Sequence, residues 1–218
     1  MLEERKLLEL RKELIDNATL VESMIDKSVR GLKEKNAELL QSVIDEDEPK
    51  ANDYEIRIDE MCVSTIAQHQ PATKPLRTIL MILSISTSLE RMADHAVTIS
   101  ESGLFLIKQP QVKPLMDIPR MSEVTISMLK NSIDSFVNED AAMAMAVCER
   151  DNIVDALRTQ IIRELVSYMI SDPITIGRAL HLMKIASNME RIADLATNIC
   201  EDVIYMVEGK VIKHHKAL

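Results

Sequence analysis

Residues 88–99 read SLERMADHAVTI and residues 188–199 read NMERIADLATNI, so Glu90, Arg91, Ala93, Asp94 and Ile99 recur as Glu190, Arg191, Ala193, Asp194 and Ile199 at an offset of 100. Acidic side chains four apart share one face of a helix, one turn from each other. Like charges at that spacing repel by about 0.2–0.5 kcal/mol. An arrangement kept twice, flanked each time by apolar residues, calls for a positive partner. Carboxylate oxygens suit hard or borderline cations: iron, manganese, magnesium, calcium or zinc.

The elements that must carry these residues follow from apolar periodicity. Leu7, Leu10, Leu14, Val21, Ile25 and Leu32 form one helical stripe, which predicts a first helix from residue 3 to about 33. Asn36 is placed to cap a second helix running to about His69, with a kink or restart near Asp47 because Pro49 lacks an N–H and its ring clashes with the carbonyl four residues back. Thr73 is the expected cap of a third helix to about Lys108. Pro110, Pro114 and Pro119 then mark a boundary. A fourth helix is expected from about Arg120 to Val137, and a fifth from an Asn138 cap to about Ile170, with Glu139 and Asp140 in its first turn. Ser171-Asp172-Pro173 opens a sixth helix, which ends at Val207 or Glu208 before Gly209. The predicted fold is all-α: six long helices in two tandem three-helix bundles, residues 1–109 and 119–209, with a basic tail at 210–218 that holds Lys213, His214, His215 and Lys216.

Antiparallel neighbours place residues equidistant from their turn at one height. Counting back from Asp172 sets Asp151 and Asp155 opposite Glu190 and Asp194; counting back from Gln70 sets Glu48 and Asn52 opposite Glu90 and Asp94, with Glu55 and Asp59 continuing that face. Glu101 and Glu201 extend the other helix. Four carboxylates at one level repel strongly unless some protonate or a multivalent cation binds. The bland alternative is a solvated charged face, with Arg91 and Arg191 neutralising the rows as salt bridges. His69, His95 and His181 are read as packing or surface residues rather than ligands.

Composition narrows the class. A 46% hydrophobic chain with 2% aromatics, no Trp and 14 Met builds aliphatic, thioether-rich cores, and four Gly with seven Pro leave room for few turns. A net charge of −9 disfavours nucleic acid as a partner and favours cations or basic protein surfaces. Cys62, Cys148 and Cys200 are odd in number and widely spaced, which speaks against a disulfide framework and for a reducing cytoplasm. The opening residues do not read as a signal peptide, and no apolar run approaches the ~20 residues of a membrane span. No G-x-S-x-G, Gly-rich phosphate loop or Cys–His dyad is present. An alternative class, a carboxylate-bridged di-metal enzyme on a helical bundle, lacks its usual Glu-x-x-His pairs. Long amphipathic helices also allow a homodimer, though no stripe specifies one.

The segment Glu55 to Cys62, the run IAQHQPATKPLR at 66–77, LERMADHAVTI at 89–99, Arg163-Glu164-Leu165 and MERIADLATNI at 189–199 together resemble the PhoU family of phosphate-signalling regulators, over nearly the whole chain. The resemblance implies two three-helix bundles related by duplication, with E/D-x-x-x-D motifs that hold multinuclear iron or zinc in some relatives. Its motif positions fall on Glu55 with Asp59 and Glu90 with Asp94 in the first bundle, and on Asp151 with Asp155 and Glu190 with Asp194 in the second. Glu48 and Asn52 stand at the counterpart of Asp151 and Asp155; the amide at Asn52, beside Pro49, makes the first site the less complete. Ala93 and Ala193 replace a glycine frequent in relatives. The resemblance further implies a non-enzymatic restraint on the phosphate-starvation response that contacts the ATPase or membrane subunits of the phosphate transporter and a sensor histidine kinase, or an accessory role for another phosphate transporter.

Overall fold

The computed structural model describes residues 2–209 and, beyond them, a two-residue antiparallel pairing of Ile212–Lys213 (β1) with Lys216–Ala217 (β2). The remainder of the basic tail, His214 and His215 included, lies outside the described residues. The all-α expectation holds, and the six rods appear as eight α-helices because two of them are interrupted.

The first rod, α1 (Leu2–Glu34), buries Leu10, Leu14, Val21, Met24 and Ile25 completely. It stops where Lys35 takes a left-handed φ of 55°, and the Asn36 side chain accepts from the Leu39 N–H at 3.1 Å to cap α2 (Ala37–Ser42). The kink expected near Asp47 is a π-helical turn, Val43–Asp47, after which α3 (Glu48–His69) restarts with Pro49 near its first turn. A proline is tolerated there because first-turn N–H groups lack intrahelical acceptors. Leu40, fully buried, packs against Gly31 and Gly103, where the missing side chains let α1, α2 and α4 (Thr73–Leu106) approach.

Three expected boundaries move. Ala72, not Thr73, is the N-cap of α4, and no side chain caps it, so Thr73 becomes the first helical residue. The fourth rod, α5 (Asp117–Asn138), starts before Arg120 and takes Pro119 into its first turn. Asn138 ends α5 instead of capping the next helix: Glu139 turns left-handed at φ 52°, and Asp140 caps α6 (Ala141–Cys148) by accepting from Met143 N–H at 3.0 Å. The fifth rod is also broken, at Glu149–Arg150, before α7 (Asp151–Ser171). Asp172 caps the 3-10 turn Pro173–Thr175 as expected, and α8 (Ile176–Glu208) ends at Gly209 with φ 72°.

In each half the three rods pack against one another, and the halves meet where α4 and α8 run antiparallel, as their side-chain contacts trace. Arg77 donates to the Tyr205 and Met206 carbonyls at 3.3 and 3.4 Å, His95 meets Asn188 at 2.9 Å, and Phe105 stacks on His181 at 4.1 Å. The first of these contacts closes the end of α8. Arg178 does the corresponding work past the end of α4, donating to Pro110 at 2.9 Å. Behind this pair α1 crosses α5, held by Arg11 to Glu139 at 2.6 Å. One apolar core runs through both halves. Lys113, buried in the connection between halves, binds Asp117 at 2.6 Å and also Glu164, tying the linker to α5 and α7.

Candidate metal site

The acidic motifs lie on the faces where α3 meets α4 and where α7 meets α8. In both halves the second rod is interrupted just before its first motif acid. The π turn precedes Glu48 and the Glu149–Arg150 break precedes Asp151, so each acid opens a helix. A carboxylate at a helix N-terminus is favoured by the backbone dipole. In the first half Asp47, itself buried, anchors that turn by accepting from Lys27 Nζ at 2.6 Å.

In the first row, burial pushes the Glu90 carboxyl above the usual carboxylate range, and Asp94, Glu55 and Glu48 push it further; Arg91 works the other way. Glu55 is raised chiefly by burial, with Asp59 and Asp94 adding to it, while the Thr87 hydroxyl favours its charged form. Glu90 thus feels the charges of Asp94, Glu55 and Glu48, and Glu55 those of Asp59 and Asp94. Asn52 is half-buried on the same helix. One oxygen of Asp59, Oδ1, is buried without a hydrogen-bond partner, and burial, with the Asp59 charge adding to it, pushes the Cys62 thiol up to about 12. An orphaned carboxylate oxygen amid carboxylates fits a row that accepts a cation.

The second row gathers Asp151, Asp155, Glu190 and Asp194. Burial raises Glu190, Asp194 and Asp155 add to it, and Arg158 and Arg191 relieve it. Asp194 is raised by burial and by Asp151 and Asp155, although its exposed position lets solvent screen part of that repulsion. Arg158 Nε forms an ion pair within the second row, 3.9 Å from Glu190 Oε2. Arg91 and Arg191, which the alternative reading of a solvated face had as salt-bridge partners, act on the glutamates through space.

The donor set is the oxygen-rich kind that hard cations take. As they stand, however, no three Asp, Glu, His or Cys side chains among the described residues are gathered closely enough to hold one ion. The rows are open acidic faces, and ligation requires side-chain rotation. His95 and His181 have packing roles instead: His95 bridges α4 to α8, and His181 lies on Phe105. Sequence spacing missed one cluster. Cys148 on α6 and Cys200 on α8 are both buried, and the Cys200 thiol hydrogen-bonds Cys148, which lowers the Cys148 thiol pKa and raises that of Cys200.

The family model for the PhoU domain matches residues 14–103 and 118–203, one match in each half. The chain is 40% identical over 210 residues to a phosphate-specific transport system accessory protein PhoU homolog of Aquifex aeolicus, covering 96% of this chain and 95% of that protein. It is 35% identical over 208 residues to PhoU homolog 2 of Thermotoga maritima, covering 95% and 88%. The crystal structure of PhoU from Pseudomonas aeruginosa superposes with a TM-score of 0.91 at 32% identity, over 94% of this chain and 99% of that one. The phosphate transport system regulatory protein PhoU from Streptococcus pneumoniae, at 24% identity, shares the fold with a TM-score of 0.88 over 97% and 99%. Matched in both halves and related over nearly its full length to proteins of that name, the chain belongs to the PhoU family.

Proposed function

We propose that this chain is a non-enzymatic accessory regulator of phosphate uptake. On this reading it restrains phosphate-starvation gene expression by linking the ATPase or membrane subunits of a phosphate ABC transporter to a sensor histidine kinase. The observation that carries it is the full-length kinship with proteins named as phosphate-specific transport system accessory proteins. On this reading the chain is cytoplasmic and meets the transporter peripherally; no helix among the described residues is long and apolar enough to cross a membrane.

Within this reading the acidic rows are cation sites, occupied by iron or zinc, with manganese and magnesium as the harder alternatives. Glu48, Glu55, Asp59, Glu90 and Asp94 would hold several ions in the first half, with Asn52 adding an amide oxygen; Asp151, Asp155, Glu190 and Asp194 would do so in the second. A bound cation cancels the mutual repulsion of the carboxylates and fixes α3 on α4, or α7 on α8, in one register. Its role is structural and electrostatic, presenting a defined face to the transporter.

Deletion of the gene in its host, with phosphate uptake and a starvation-responsive reporter both measured, tests the regulatory role. Raised reporter expression in phosphate-replete medium, reversed by the intact gene, is the expected result. Unchanged uptake and reporter output would reject it.

A further inference from the structure

The second half holds a pair of thiols that the first half does not repeat. Asn36 and Asp140 cap the corresponding short helices α2 and α6 at an offset of 104, and the buried residues Leu40 and Val43 match Ala144 and Val147 in that register. The same register sets Cys148 at the place of Ile44. On the facing helix Cys200 stands at the place of Ser100. Cys148 is the last residue of α6, directly before the Glu149–Arg150 break. Its Sγ lies 4.0 Å from the Thr197 carbonyl oxygen on α8. Thr197 and Cys200 are three residues apart and share one face of α8, and the Cys200 thiol reaches the Cys148 sulfur as a hydrogen-bond donor. Cys148 is 4% exposed and Cys200 0%.

We propose that Cys148 and Cys200 form a reversible redox couple, which closes to a disulfide on reaction with a peroxide and locks α6 onto α8. The inference is independent of the cation reading of the acidic rows. Two sulfurs in contact on neighbouring helices are placed to bond to each other. The hydrogen bond from Cys200 favours the thiolate of Cys148, the form that attacks; burial and the charges of Glu201 and Asp151 oppose it, so the pair reacts slowly. Cys148, the slightly exposed thiol, is the one a small peroxide meets first. Its sulfur attacks one oxygen of hydrogen peroxide: the S–O bond forms, the O–O bond breaks, and the departing hydroxide leaves as water with the Cys148 proton. The Cys200 sulfur then attacks the Cys148 sulfur. The S–S bond forms, the S–O bond breaks, and the second hydroxide leaves as water with the Cys200 proton. Two thiols are oxidised to a disulfide, and one peroxide is reduced to two waters. A thiol reductant reverses the bond by exchange, as for cytosolic disulfides that sense redox state. Because α7 leaves the Glu149–Arg150 break directly after Cys148, the closed bond also fixes the point from which α7 runs. Cys62 lies on α3 in the other half, with its thiol pushed up to about 12.

The test is treatment of reduced, full-length protein with hydrogen peroxide, then removal of the peroxide, alkylation in urea and peptide mass mapping without reductant. Wild type is expected to yield the cross-linked Cys148–Cys200 peptide with Cys62 alkylated, and to return to three alkylated cysteines after dithiothreitol. Cys200→Ser stops at a sulfenic acid on Cys148, captured by dimedone, and Cys148→Ser leaves Cys200 reduced. Hydrogen exchange of the α6 amides, read on wild type alone, covers the case in which a variant fails to fold: oxidation slows it about tenfold, and reductant restores it. Three cysteines still open to alkylation after peroxide in molar excess, a sulfinic acid in place of the cross-link, or Cys62 oxidised as readily as Cys148 overturns the couple. A disulfide that leaves α6 exchange unchanged overturns the lock.

Discussion

Lys27 Nζ lies 2.6 Å from Asp47 Oδ2 and so pins α1 to the π turn from which the first acidic row begins. Asp47 is 3% exposed, while its second cation, Lys50, sits 3.6 Å away and largely in solvent. A buried carboxylate that loses its near partner is left with an uncompensated charge. Lys27→Met is therefore expected to destabilise the fold by about 2–3 kcal/mol, and Lys50→Met by less than about 0.5 kcal/mol. Urea denaturation of both variants checks the contrast.

Two helical glycines have opposite surroundings. A Cβ at Gly31 would meet Leu40 Cγ at 2.7 Å, and Leu40 cannot withdraw because Gly103 closes its other side; a Cβ at Gly177 would meet nothing within 4 Å. Overpacking outweighs the gain in helix propensity at the first site and is absent at the second. Gly31→Ala is expected to cost about 1–2 kcal/mol, and Gly177→Ala to stabilise by up to about 1 kcal/mol. Thermal denaturation midpoints moving in opposite directions would agree with this; a neutral Gly31→Ala would not.

The pH dependence of the metal-free protein divides between acids and histidines. Glu90 has a folded pKa above its unfolded value, so in the window above the usual carboxylate range near ~4 the fold binds more protons than the unfolded chain. Its contribution therefore favours the fold at lower pH and is lost as pH rises through the folded value. His95 and His181 are depressed by burial, and their contribution runs the other way, present above ~6.5 and lost as pH falls. Glu90→Gln should stabilise the metal-free protein at pH 7, and that gain should shrink as the pH is lowered towards 5. Urea midpoints at the two pH values measure it; a gain independent of pH would contradict the strained carboxylate.

All three thiols are buried, with Cys62 pushed up to about 12 and Cys200 hydrogen-bonded to Cys148. Native protein at pH 8 is expected to resist alkylation by iodoacetamide at every cysteine and to react at all three once unfolded. Mass spectrometry of the labelled chain reads this directly. Rapid native labelling of Cys148 would mean that α6 opens from α8 far more readily than its packing implies.

Where the sequence carried a local chemical signal, the fold was legible from it. The Asn36 cap, the interruption forced by Pro49, the Asp172-Pro173 start and the Gly209 stop all act within one or two turns of the residue that causes them. The boundary errors arose where two residues competed for one role. Glu139 took the left-handed turn, which passed the capping role from Asn138 to Asp140. The break at Glu149–Arg150 has neither Pro nor Gly to announce it. The acidic rows were visible as spacing, and the structure brings their members within electrostatic reach of one another. Arg158 and the Cys148–Cys200 contact were not visible, because each depends on which helix faces which.

The most direct test of the account is the metal content of protein purified without chelator. Wild type would be compared with a first-row variant, Glu55→Gln, Glu90→Gln and Asp94→Asn, and with a second-row variant, Asp151→Asn, Asp155→Asn, Glu190→Gln and Asp194→Asn. The account predicts iron or zinc bound in wild type and reduced in each of the two row variants, with helix content intact in all three. Metal no higher than trace in wild type would contradict it and would leave the rows as charged docking faces for a basic partner.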